Sequence, residues 1–176
     1  MKRVSALIVM AILPVLVPIV VPIVVIGAES SSDESFFTNA AEGGLAEVSA
    51  GKLAEDKSNS PAIKDFGGMM VKDHSTANQK LWSLAADKNI KLPTTPSVEQ
   101  VASGEKLKLL SGDSFDKAYI KNQIDAHRDT VALFKKEIAA GRDPQAKQFA
   151  SATLPTVQAH LAKITQIATA AGVSTD

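Results

Sequence analysis

Pro61-Ala-Ile63-Lys-Asp-Phe66-Gly-Gly-Met-Met70-Val-Lys-Asp-His74-Ser-Thr-Ala77-Asn-Gln-Lys-Leu81-Trp-Ser-Leu84 is the stretch that decides the fold. Ile63, Phe66, Met70, His74, Ala77, Leu81 and Leu84 recur at steps of three and four, so they share one face of a helix. Ser60 ahead of Pro61 places a capping side chain before a proline at the first helical position, where the missing N–H has no partner to lose. The spacing predicts a helix over 61–88.

The same signs extend in both directions. Asp143-Pro144 opens a helix over 144–171, with Phe149, Thr153, Val157, His160, Ile164 and Ile167 on its stripe. Ile120, Ile124, His127, Val131, Phe134 and Ile138 mark a third, over 114–140, and a fourth runs over 33–57. Gly141 and Gly172 stand where helices should stop. A shorter amphipathic helix near 98–110 follows Leu92-Pro93-Thr-Thr-Pro96. Aromatics make up only 5% of the chain, and nothing after the first 28 residues alternates like a half-buried strand.

The expected architecture is all-α, a four-helix bundle of two helical hairpins. Pro61-Ala-Ile-Lys-Asp-Phe66 weakly repeats as Pro144-Gln-Ala-Lys-Gln-Phe149, each after a helix and a short loop. The hairpins are joined by roughly 25 residues carrying their own helix, more than an adjacent turn needs, which suggests a long crossover as in ferritin-like bundles. Gly51 and Gly67-Gly68 lie at similar distances from their shared turn, and small residues there would let two backbones approach closely.

The ends and the composition narrow the rest. Met1-Lys2-Arg3 is followed by an apolar run to Ile26 and then Gly27-Ala28, the pattern of an export signal cut after Ala28. The run is long enough to stay as an inner-membrane anchor facing the periplasm, but Pro14, Pro18 and Pro22 would interrupt its helix. Residues 29–32 form a polar tether, and the domain is expected to occupy 33–172. Periplasmic or secreted location follows from that reading, with any membrane attachment confined to residues 1–28. Across the chain 19 basic groups balance 19 acidic ones, which excludes the basic surface of a nucleic-acid binder. With no cysteine there are no disulfides, thiolate metal sites or cysteine nucleophiles. Neutral, alanine-rich faces suit either solvent or a second copy of the chain.

The three histidines carry the chemistry. All sit on core stripes, and at 1.5 Å per residue His74 and His127 each lie about 22 Å from their hairpin turns, with His160 at about 27 Å. Three imidazoles from three helices should therefore meet near mid-bundle. Glu47, about 18 Å from the first turn, is the expected fourth ligand, with Glu42 a turn or more away and weaker. Asp73 and Asp125 offer either outer acceptors that orient imidazoles or simple solvated charge. Met70, one turn before His74, fills core or offers a thioether to copper. Neutral imidazoles with one carboxylate suit one ion of zinc, copper, iron or nickel. The contrasting expectation is a metal-free bundle, its histidines plain buried polar residues and a helix face its working surface.

Phe36-Phe37-Thr-Asn-Ala-Ala-Glu-Gly-Gly-Leu-Ala-Glu47-Val, Met70-Val-Lys-Asp73-His74-Ser, Asp125-Ala-His127 and Thr153-Leu-Pro-Thr-Val-Gln-Ala-His160-Leu occur in an order and spacing similar to an exported bacterial family known as domain of unknown function 4142. The resemblance spans essentially Asp33 to Gly172. It implies a ferritin-like bundle in the bacterial envelope and brings no agreed activity. Di-iron bundles carry Glu-x-x-His on two helices, but here Val71 and Val157 stand three residues before His74 and His160. A carboxylate-bridged di-iron oxidase is not expected. Ser75 beside His74 points about 100° away around the helix, and no nucleophile elbow, phosphate loop or dinucleotide fingerprint exists. The sequence reads as a binding protein, with metal binding, buffering or sensing ahead of enzymatic activity.

Overall fold

The computed structural model describes residues 32–175, so the expected export signal and most of the expected tether lie outside the described residues. Five helices follow in order: α1 Ser32–Lys57, α2 Pro61–Asp87, α3 Val98–Lys108, α4 Gly112–Ala140 and α5 Pro144–Ala170. Among the described residues there is no strand, and no helix is long and apolar enough to cross a membrane. The molecule is a ferritin-like bundle. α1 with α2 and α4 with α5 form tight antiparallel hairpins, which meet through α1 against α4 and α2 against α5. The connection from α2 to α4 runs the length of the bundle and lays α3 over α1 and α4.

Local chemistry explains most helix ends. Asp143 caps α5 as expected, its Oδ1 accepting from the N–H groups of Gln145 and Ala146 at 2.9 Å. Ser60 does not cap α2 with its hydroxyl. Its own N–H instead donates to Ser58 Oγ, whose hydroxyl donates to Asp116 at 2.6 Å, so the turn is pinned to α4 from Ser58. α3 begins with a full capping box: Ser97 Oγ accepts from Gln100 N–H, and the Gln100 side chain accepts from Ser97 N–H. After α5, Gly172 takes the left-handed conformation (φ 63°) that ends a helix cheaply only without a Cβ.

The close approach of α1 and α2 is real. A Cβ on Gly51 would lie 2.6 Å from the Gly67 carbonyl oxygen, and one on Gly67 would lie 2.7 Å from that of Gly51. Higher up, the Asn78 amide fills the space over Gly44.

The core is divided in two. At the end holding the α1–α2 turn, Ala54, Ile63, Phe66, Met70, Leu107, Phe115, Tyr119, Ile120, Ile124 and Ile164 pack into one apolar cluster. At the other end Phe36, Phe37, Ala41, Leu81, Ala85, Phe134, Ala146 and Ala150 form a second. Between them lies a buried polar layer: Glu47, His74, Asn78, Gln123, His127 and His160. Each occupies a position on the core face of its helix, which is why the layer is internal.

Candidate metal centre

His74 on α2, His127 on α4 and His160 on α5 are all buried and each offers a nitrogen within 4.8 Å of the other two. The ring centroids stand 5.8 Å apart for His74 and His127 and 5.5 Å for each of the other pairs. Phe66 closes the layer from the lower cluster, edge-on to His127 and His160. Mid-bundle convergence thus agrees with the rise per residue.

Two of the rings are oriented by hydrogen bonds outside the cluster. His127 Nδ1 donates to the Gln123 carbonyl one turn earlier at 2.9 Å. His160 Nε2 donates to Asp73 Oδ2 at 3.0 Å. Each bond fixes the tautomer and leaves the opposite nitrogen as a lone pair. Those opposite atoms, His127 Nε2 and His160 Nδ1, are buried without a partner, and so is His74 Nε2. Burial, reinforced by the neighbouring His127 and His160, holds His74 down at about 3. Burial also lowers His160, outweighing the opposing pull of Asp73. In the folded protein both imidazoles are therefore neutral at pH 7, the form that binds a metal.

Imidazole nitrogens bind zinc at about 2.0 Å, whereas three atoms 4.8 Å apart surround their centre at about 2.8 Å; closure needs a shift of under an ångström. The donor set fits a borderline cation.

The other expected residues fall in different places. Glu47 is buried, with Oε1 3.8 Å from His127 Nδ1, beside the cluster and outside the mutual 4.8 Å set. Burial pushes its carboxyl above the ordinary range, against the nearby His127 ring and Gln123 amide. Glu42 and Asp125 line a cleft on the α1–α4 face. Asp73 does orient an imidazole, but that of His160 across the bundle and not its neighbour His74. Met70 belongs to the lower apolar cluster, its Cβ facing Gly51.

Sequence reading missed Gln123 and Asn78. Both were findable, since Gln123 stands three after Ile120 and four before His127, and Asn78 four after His74. A polar residue at a stripe position is the signal.

Comparison with known proteins agrees with the fold. The chain is similar to a DUF305 protein from Streptomyces coelicolor, whose crystal structure superposes with a TM-score of 0.71 at 12% identity, covering 83% of this chain and 96% of that one. No curated protein sequence matches. The model of a domain of unknown function, DUF4142, matches residues 27–167. With most of its length and the whole histidine layer inside that match, the chain belongs to the DUF4142 family.

Proposed function

We propose that this is an exported metal-binding protein of the bacterial envelope that holds one transition-metal ion on His74, His127 and His160. One observation carries the reading: three buried histidines, each with an unpartnered ring nitrogen, converge between two apolar clusters with nitrogens within 4.8 Å of one another. Leaving a buried acceptor unsatisfied costs about 1–3 kcal/mol each, so an arrangement of three is sustained by something that binds them. Zinc and copper lead by donor type and by the Irving–Williams order. Glu47 lies on the Nδ1 side of His127, behind the ligand ring, and stands outside the set of three that holds the ion. Export rests on the basic, apolar and small-residue pattern of residues 1–28. Storage, buffering or sensing suits a centre that binds through three neutral ligands.

Titration of the purified chain with Zn(II) and with Cu(II) tests this. One equivalent should bind, and excess ion at about 100 times Kd should raise stability by about 2.7 kcal/mol. His127→Ala should abolish both effects. Histidines that serve only as core would give no stoichiometric uptake, and the same substitution would then change stability equally with and without metal.

A further inference from the structure

A cleft of about 720 Å³ opens between α1, α3 and α4. Its lining includes Glu42, Glu47, Glu99, Glu105, Asp125 and Asp129 against a single basic residue, Lys108, which pairs with Glu105 at 2.7 Å. The carboxylates are graded by depth: Glu99, Asp125 and Asp129 are exposed, Glu42 is half-buried and Glu47 is buried. Gln123, fully buried, also lines the cleft. Glu47 Oε2 has no hydrogen-bond partner, and the Gln123 amide stands against the Glu47 carboxyl. Glu47 and Gln123 also make polar contacts to His127 from outside the cluster, one at 3.8 Å and the other through its carbonyl. No histidine lines the cleft itself, but Glu47 and Gln123 both line it and both contact His127.

We infer that this cleft is the route by which a hydrated divalent transition-metal cation reaches the histidine layer. The outer carboxylates draw the ion in, and Glu47 with Gln123 exchanges for its water at the inner end. Clefts lined by one sign of charge focus the field and raise association rates by about 10 to 1,000-fold, an effect that salt removes. The inference rests on the metal reading above. The other approach to the layer, the α2–α5 seam, offers Asp73, whose carboxylate already accepts from His160.

Stopped-flow mixing of the full-length protein with Cu(II) chloride, read by ligand-field absorption, tests the route. The triple variant Glu42→Gln, Glu99→Gln, Asp129→Asn touches no imidazole and should keep the stoichiometry. Its association rate should fall about tenfold at low ionic strength and match the wild type at high salt, with dissociation unchanged. The control Asp65→Asn, Asp87→Asn, Asp113→Asn changes the net charge equally outside the cleft and should associate at the wild-type rate. Equal rates for the cleft variant and the wild type at low salt, or equal slowing in the control, would overturn the route while leaving the site intact. Absence of Cu(II) binding by the wild type at equilibrium would remove the site and the route together.

Discussion

Asp33 and Glu137 show how much one buried carboxyl depends on its neighbours. Burial works to raise Asp33, but the N–H groups of Arg142 and Asp143, at 2.8 and 3.2 Å, and the Glu137 carboxyl more than offset it and hold Asp33 ionised. Glu137 responds in the opposite sense: burial, then its hydrogen bond to Asp33 and the charges of Asp33 and Asp143, push it up to about 7. The start of α1 is thereby tied to the α4–α5 turn by a carboxyl–carboxylate pair. Between the ordinary glutamate pKa and 7 the folded chain keeps a proton that the unfolded chain has released. The stability from this group is full below about pH 4.5 and lost as pH rises through 7. Glu137→Gln, which keeps a neutral donor, should therefore gain on the wild type by roughly 1–3 kcal/mol between pH 4.5 and pH 8.5. Urea denaturation at the two pH values checks this; a pH-independent difference would show that Glu137 is ionised in the fold.

At the scale of elements, the α1–α2 pairing rests on the absence of side chains. Gly51→Ala would set a methyl 2.6 Å from a backbone oxygen that cannot swing aside, so the helices must separate. A loss of about 1–3 kcal/mol is expected, as for other overpacked contacts. Gly104, inside α3, is the opposite case, since a methyl added there would meet nothing within 4 Å. Gly104→Ala should stabilise by about 0.5–1 kcal/mol. Thermal denaturation of both variants checks the contrast, and equal effects would refute the close-contact account. Pro155 inside α5 is tolerated because it and Ser151, whose carbonyl it deprives of a donor, both face solvent.

For the whole molecule, stripe periodicity was enough to reveal four long helices, the crossover and a mid-bundle meeting of histidines, because helical rise converts sequence distance directly into height. Height is not direction, however. It brought Glu47 to the correct level but could not say that its carboxylate meets His127 at Nδ1, the nitrogen turned away from the unpartnered Nε2. Nor could it show that Asp73 serves His160, since that contact joins residues 87 apart across two helices. The role of α3 as one wall of an acidic cleft was equally hidden, because a short polar helix carries no stripe strong enough to say where it docks. Val71 and Val157, three residues before His74 and His160, serve packing: Val157 is buried and the Val71 side chain packs against Gly51.

The central claim is that the three unpartnered imidazole nitrogens are metal ligands. Elemental analysis of the protein, exported into the periplasm and purified without an affinity tag or chelator, tests it most directly. About one equivalent of zinc, copper or another transition metal in the wild type and none in His127→Ala is the predicted result. A wild type free of metal that also takes up none on titration, or a His127→Ala variant with its metal intact, would contradict it.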